Sequence, residues 1–130
     1  MKFSGGTKMR ARLICVALFA WAATTTAALA HHSFAMFDMT KQVTLQGTIK
    51  TFKWVNPHSW IEINVPGADG KVTMWGVELT SPNNLIRLGW KRISLKPGDK
   101  VTMVVRPLRD GGPGGSLVSV TLVDGTKLHQ

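Results

Sequence analysis

Residues 43–65 read VTLQGTIKTFKWVNPHSWIEINV, and they contain two runs in which apolar and polar side chains alternate. In the first run Val43, Leu45 and Ile49 share one parity, and the second run, Trp60–Val65, alternates in the same way. Strict alternation is typical of a strand that buries one face and exposes the other. The stretch therefore predicts two neighbouring β-strands at the start of an all-β domain.

Two features inside this stretch predict where the first strand bends and where it connects to the second. Gly47 lies in the middle of the first run, where a glycine indicates a bulge or a tight bend of the kind that a barrel corner needs. We expect the strand to continue, bent, through Phe52 to Trp54. Pro57 cannot continue a strand ladder and restricts Asn56, so these two residues and His58 form the connection to the second strand.

The rest of the chain supplies three more strands and one helix. Alternating runs predict strands at Val72–Leu79, Lys100–Arg106 and Ser116–Val123, and Ser81-Pro82 predicts the start of a short helix over Asn83–Leu88 that Gly89 ends. Five strands with one short helix between the third and the fourth is the element order of an OB-fold, a small Greek-key barrel. A five-stranded sandwich is the alternative, but the mid-strand glycine favours closure into a barrel.

The sequence divides into four segments. Residues 1–30 resemble a secretory signal peptide, residues 31–41 form an N-terminal segment, residues 42–124 form the OB-like barrel, and residues 125–130 form a frayed tail. The signal peptide is predicted from Lys2, Lys8, Arg10 and Arg12, from the short apolar run at 13–23, and from the small residues Ala28 and Ala30. We expect cleavage after Ala30 and a mature protein that is periplasmic or secreted and has no membrane span. An uncleaved anchor is the alternative.

Composition narrows the partners that we expect. The 130 residues carry 16 Lys and Arg against 7 Asp and Glu, a formal net charge of +9, and a single cysteine. One cysteine excludes an intrachain disulfide and a CxxC metal or redox site. Because an exported protein seldom meets nucleic acid, we predict an anionic glycan or an envelope protein as partner, and no nucleic acid.

Histidines predict a copper site at the mature N-terminus. Cleavage after Ala30 would make His31 the first residue, so that it offers both an amine and an imidazole nitrogen. A second imidazole, from His32 or from His58, would complete a three-nitrogen set of the kind that Cu(II) favours, and the Met36 thioether suits Cu(I). The alternative is that the paired histidines are tolerated polar residues and that His58 is bonded to backbone.

Tryptophans predict a second candidate site. In OB-folds the second and third strands carry the ligand-binding face, and Trp54, Trp60 and Trp75 fall about there. Arg106 and Arg109, beside a glycine-rich loop, would supply a cationic rim. The alternative is that these rings belong to the core.

Catalytic patterns are not evident in the sequence. It holds no Ser-His-Asp, P-loop, GxGxxG or HExxH pattern. Glu62 and Glu78 are the carboxylates within predicted strands, and we expect each to pair with a neighbouring lysine or arginine. We therefore interpret the chain as a binding protein rather than an enzyme.

Several motifs together resemble a family of small exported bacterial proteins of unknown function. They are HHSFAMFD at 31–38, WVNPHSW at 54–60, WGVE at 75–78, LKPGD at 95–99 and PLRDG at 107–111. The resemblance implies a signal peptide and one β-rich domain. It implies no activity, although its motifs include His31, His32, His58, Trp60, Glu78 and Arg109.

Overall fold

The computed structural model describes residues 35–130, which contain six strands and one helix. The strands are β1 (Val43–Lys53), β2 (Trp60–Pro66), β3 (Val72–Glu78), β4 (Lys100–Pro107), β5 (Gly114–Leu122) and β6 (Lys127–His129), and helix α1 (Pro82–Arg87) lies between β3 and β4. The alternating runs of the sequence form the first five strands, with ends that differ from the predicted ones by one or two residues.

Strands β1 to β5 close into a barrel with the order β3-β2-β1-β4-β5. Neighbouring strands are antiparallel except β3 and β5, which pair in parallel through Gly76–Glu78 and Gly114–Ser116. We call this parallel pairing the closing seam. The arrangement confirms the predicted all-β, five-stranded OB-like barrel with one short helix between its third and fourth strands.

Two glycines at the start of β5, Gly114 and Gly115, lie close to the end of β4 and the residues after it. A Cβ atom on Gly115 would lie 2.6 Å from the carbonyl oxygen of Arg106, and one on Gly114 would lie 2.7 Å from Cδ1 of Leu108. Both distances are shorter than those that real Cβ atoms show. At Gly115 the obstacle is the backbone of β4, whereas at Gly114 it is the flexible end of the Leu108 side chain.

Strand β1 is shared between the two halves of the barrel. Its first half pairs with β4 and its second half with β2, and the register shifts between Ile49 and Thr51. The sequence predicts the bulge at Gly47, but in the structure it lies further along the strand. At Gly47 a Cβ atom would instead meet the carbonyl oxygen of Asn64 in β2, so the glycine is needed for close approach of the two strands.

Inward-facing side chains fill the barrel. Those that are nearly or fully buried are Leu45, Ile49, Ile61, Ile63, Val77, Leu79, Met103, Val105, Leu117 and Val120. Each large aliphatic side chain that is fully buried stabilises the fold by about 1.5–3 kcal/mol relative to an exposed one. The core therefore supports a rigid barrel on which outward-facing side chains are fixed.

Helix α1 and the segment after it cover one end of the barrel. Ser81 caps the helix by accepting a hydrogen bond from the amide of Asn84 (3.4 Å), and Gly89 ends it with a φ of 87°. Leu85 and Trp90 are buried against the core, and the Trp90 indole N–H donates to the carbonyl of His129 (2.8 Å).

Residues 127–129, expected to be frayed, form strand β6. They pair antiparallel with Ser119–Thr121 of β5, and the side-chain oxygen of Gln130 accepts from the amide of Thr80 (2.6 Å). The physical reason is that β3 covers β5 only as far as Ser116, which leaves backbone donors and acceptors of β5 to be satisfied by another strand.

Several predictions fall before residue 35. The signal peptide, the cleavage after Ala30, and the candidate ligands His31 and His32 all lie outside the described residues. Within residues 35–130, no helix is both long enough and apolar enough to cross a membrane.

Replacement of Gly47 by alanine tests the close approach of β1 and β2. We expect Gly47→Ala to lower the free energy of unfolding by about 1–3 kcal/mol, because the new methyl group forces the two backbones apart. The matched control is Gly76→Ala, whose Cβ would meet no atom within 4 Å, and which we expect to change stability by less than about 0.5 kcal/mol. Urea unfolding followed by tryptophan fluorescence measures both, and equal stability of the two variants would contradict the prediction.

Candidate functional site

A histidine and a carboxylate meet at the end of the barrel where β1 connects to β2. Trp60 lies opposite Glu78 in the β2–β3 ladder, and the pairing continues as Ser59 donates to the carbonyl of Thr80 (3.1 Å). This register brings His58 diagonally beside Glu78, and Nδ1 of the imidazole contacts Oε1 of the carboxylate. Because an ionised carboxylate only accepts hydrogen bonds, Nδ1 carries the proton that is donated to it.

Burial differs sharply across this pair. The Glu78 side chain is 9% exposed, whereas the His58 side chain is 34% exposed. On the outer face of the sheet the carboxylate is therefore largely covered, and the ring reaches the surface. A carboxylate that holds one ring nitrogen leaves the other nitrogen, Nε2, as a basic and oriented electron-pair donor, which is how metal-binding histidines are commonly supported.

Sequence analysis did not predict the contact between His58 and Glu78. It expected a lysine or arginine partner for each strand carboxylate, and Glu62 does have lysine partners: Oε1 lies 2.9 Å from Nζ of Lys53 and Oε2 lies 3.8 Å from Nζ of Lys50. The hydrogen bond from Lys53 is the main reason that the pKa of Glu62 is lowered. The signal that would have found the partner of Glu78 is the β2–β3 register, which places residue 58 beside it.

The three tryptophans of the predicted platform do not share one face. Trp60 lies on the outside of β2 and is 39% exposed. Trp75 has the opposite parity, lies opposite Ile63 and packs partly against the core. Trp54 packs edge-on against Phe52, with 5.7 Å between ring centroids. Trp60 is therefore the ring of the three that lies beside the His58–Glu78 pair.

Arg106 and Arg109 lie at opposite ends of the turn out of β4. Arg106 is half-buried on β4 opposite Ser116, so β3 and β5 separate it from the strand of Trp60. Arg109 lies in the β4–β5 loop, where its amide donates to the carbonyl of Met36 (2.9 Å). Arg106 therefore does not adjoin Trp60 along the sheet.

The segment before β1 is attached at this β4–β5 loop. Phe37 is 3% exposed and forms a bridge with Leu108, and the amide of Asp38 donates to the carbonyl of Pro107 (2.8 Å). Met36 is 48% exposed. The chain before Ala35, which carries His31 and His32, is thus tethered through Met36 and Phe37 to the loop.

Asp38 holds the turn that leads from this segment into β1. The Thr40 hydroxyl and amide donate to Oδ1 of Asp38 at 2.6 Å and 3.1 Å, and Nζ of Lys41 lies 3.2 Å from Oδ2. These hydrogen bonds, that of the hydroxyl first, lower the pKa of Asp38 from its ordinary value of 3.8 to about 2. The carboxylate therefore stays ionised, with its acceptors engaged in the turn.

Within residues 35–130, His, Cys, Asp and Glu side chains form no group of three that could hold a metal ion. The His58–Glu78 pair supplies one oriented imidazole. A metal bound there would need further ligands from the chain before Ala35.

A separate groove of about 460 Å³ lies across β1, β4 and β5. Its polar lining side chains are Gln46, Thr48, Lys100, Thr102 and Thr121. None of the described residues that line it is a histidine, a carboxylate or an aromatic residue, and none is a site residue predicted from the sequence. The His58–Glu78 pair, together with Trp60, is therefore the stronger candidate site.

Fold and site together define a small OB-fold protein with a histidine–carboxylate pair beside an exposed tryptophan on its outer surface. The chain belongs to a family of unknown function, DUF6152, whose model matches residues 19–117. None of the curated proteins compared with the chain matches it.

Two solved structures with a similar fold are crystal structures of Rim1, a mitochondrial single-stranded DNA-binding protein from S. cerevisiae, one of them labelled with selenomethionine. In both, the similarity covers 64% of this chain and 94% of the other, with 12% sequence identity and a TM-score of 0.47. At this identity the likeness concerns the fold.

The likeness corrects one prediction. Sequence analysis excluded nucleic acid as a partner, and that exclusion is withdrawn, because the two solved structures with a similar fold are described as single-stranded DNA-binding proteins. The exclusion rested on the predicted export of the chain and on no feature of the barrel.

Acid titration of Asp38 tests the turn before β1. When the chemical shift of the Asp38 carboxyl carbon is followed by NMR, we expect it to titrate with a midpoint near pH 2. Thr40→Val should raise that midpoint, because it removes the hydrogen bond that lowers the pKa most. Because the pKa is lowered in the folded state, the turn is stabilised above the ordinary pKa and loses that stabilisation as pH falls towards 2. Thr44→Val, an exposed change in β1, is the control; an unshifted midpoint in the unsubstituted protein contradicts the prediction.

Proposed function

We propose that the protein is an exported, non-catalytic binding module that holds copper between the mature N-terminus and His58. The observation that carries the proposal is the hydrogen bond from Nδ1 of His58 to the buried carboxylate of Glu78. It orients the ring and leaves Nε2 as the partly exposed nitrogen, through which a neutral imidazole can bind a metal ion.

The donor set suits copper better than the other common metals. A terminal His31 would contribute its amine and its ring, and His58 would contribute the third neutral nitrogen. Cu(II) prefers tetragonal sites rich in nitrogen and stands at the top of the divalent affinity series. Met36, exposed and tethered to Arg109, would serve as a soft auxiliary ligand for Cu(I).

The proposal requires the chain before Met36 to extend as far as His58. Glu78 lies opposite Ser116 and Ser116 opposite Arg106, so two strand spacings, about 10 Å, separate Glu78 from Arg106. Met36 contacts Arg109, three residues further along the same chain. The five residue-to-residue steps from His31 to Met36 can span up to about 17 Å when extended, and the imidazole side chains add to that reach.

Calorimetric titration with Cu(II) tests the proposal on protein purified after export, whose first residue is established by mass spectrometry. We expect His58→Ala and an added glycine before His31 each to weaken binding at least about tenfold, and Glu78→Gln to weaken it about 10- to 100-fold through loss of ring orientation. His129→Ala is the matched control, because that histidine lies on β6, and it should bind as tightly as the unsubstituted protein.

Two other results have definite meanings. If the added glycine abolishes binding while His58→Ala leaves it unchanged, His32 is the second imidazole and the role of His58 is refuted. If the added glycine changes nothing, the terminal amine is not a ligand and the proposal fails.

Trp60 supports a second candidate function, the binding of an anionic glycan on the outer face of β2. Its ring is 39% exposed beside Lys53, its partner across the β1–β2 ladder. Exposed indole rings stack on the faces of sugars and bases in OB-folds.

Fluorescence titration with an acidic oligosaccharide and with a single-stranded DNA oligonucleotide tests this second function. We expect Trp60→Ala to weaken binding by about 1–3 kcal/mol, the usual contribution of one stacked ring. Trp75→Phe, on the opposite face of the sheet, is the control and should bind normally. Saturation by DNA with no response to the glycan would assign the face to nucleic acid, and no response to either would remove it as a site.

A further inference from the structure

The segment between α1 and β4 exposes large aliphatic side chains. Ile86, Leu88 and Ile93 are 58%, 49% and 68% exposed. They lie between residues that anchor the same segment in the core, namely Leu85, Trp90 and Leu95, all of which are buried. The aliphatic side chains are therefore held on the outside of a well-anchored stretch of chain.

Four cations lie among these aliphatic side chains. Arg87, Lys91, Arg92 and Lys96 are all exposed, and none forms an ion pair within the described part of the chain. Residues 79–98 contain no aspartate or glutamate. By contrast, Lys41, Lys50, Lys53 and Lys71, elsewhere on the surface, each lie within 4 Å of a carboxylate oxygen. We call the seven side chains at 86, 87, 88, 91, 92, 93 and 96 the basic-apolar patch.

Hydrogen bonds fix the backbone of the patch before any partner arrives. The amide of Trp90 donates to the carbonyl of Leu85 (2.9 Å), the amide of Lys91 donates to the Ser94 hydroxyl (2.8 Å), and the amide of Lys96 donates to Oδ2 of Asp99 (2.8 Å). A preformed surface loses little conformational entropy on binding.

We propose that the basic-apolar patch docks the protein on an anionic lipid bilayer. Aliphatic side chains that enter the acyl boundary, ringed by cations that meet anionic headgroups, are the two components of interfacial membrane binding. The charge of the patch is wholly positive and unneutralised, which complements an anionic surface. Nucleic acid fits it less well, because the aromatic ring of the segment, Trp90, is 2% exposed and offers no face for a base to stack on.

Vesicle co-sedimentation tests the proposal with the protein as purified from the cells that export it. We expect binding to vesicles of equal parts phosphatidylglycerol and phosphatidylcholine, weaker binding to phosphatidylcholine alone, and loss of binding at high salt. The triple variant Arg87→Ser, Lys91→Ser and Arg92→Ser should lower the partition coefficient about fivefold per cation, about a hundredfold in total.

Two further variants separate the patch from general charge. Lys41→Ser, Lys50→Ser and Lys71→Ser together remove the same net charge from other surfaces and should retain most of the binding. Ile86→Ser with Ile93→Ser keeps every cation and should still weaken binding, most visibly at high salt, where the apolar contribution dominates. Thermal unfolding checks that all variants are folded.

Three outcomes would overturn the proposal. The first is that the unsubstituted protein does not bind anionic vesicles. The second is that the two triple variants lose binding equally. The third is that the patch binds a single-stranded oligonucleotide or an acidic protein but no vesicles. None of them bears on copper, since the patch shares no residue with the proposed metal site.

Discussion

Strand β1 pairs with two neighbouring strands, β2 and β4, and the geometry of the rest of the barrel depends on this double pairing. Its first half is paired with β4 and its second half with β2, so the strand must change direction without losing its ladder. The register shift after Ile49 provides the turn, and the absence of a side chain at Gly47 lets β2 come close. The start of β2 is positioned by this geometry, and with it His58 and Trp60.

Most of the fold could be predicted because its strands each bury one face. Alternation identified all five barrel strands, and Ser81-Pro82 with Gly89 marked the helix. Strand β6 could not be found in this way: three residues are too few for a pattern, and they are ordered because β3 leaves part of β5 uncovered. The bulge was misplaced because the glycine serves close packing between strands, a long-range requirement that local sequence does not reveal.

The candidate site was predictable only in part. His58 and Trp60 stand out by residue type, but the partnership of His58 with Glu78 depends on the pairing of two strands and on the burial of the carboxylate. Parity explains the tryptophans: Trp60 alternates with the inward Ile61, whereas Trp75 shares its parity with the inward Val77. Arg106 was grouped with Trp60 by loop position, whereas the strand order β2-β3-β5-β4 separates the two residues.

The closing seam has a consequence for how the barrel comes apart. It consists of three residue pairs, whereas β2–β3 and β4–β5 have seven each. Local opening of a folded protein starts where the fewest interactions must break. We therefore expect the barrel to open first at the closing seam. When the seam opens, Glu78 loses its pairing with Ser116 but keeps its pairing with Trp60. The His58 imidazole and the Glu78 carboxylate then stay in contact, because both belong to the β2–β3 side of the seam. Local opening that transiently exposes the interior of the barrel therefore leaves the contact between His58 and Glu78 in place.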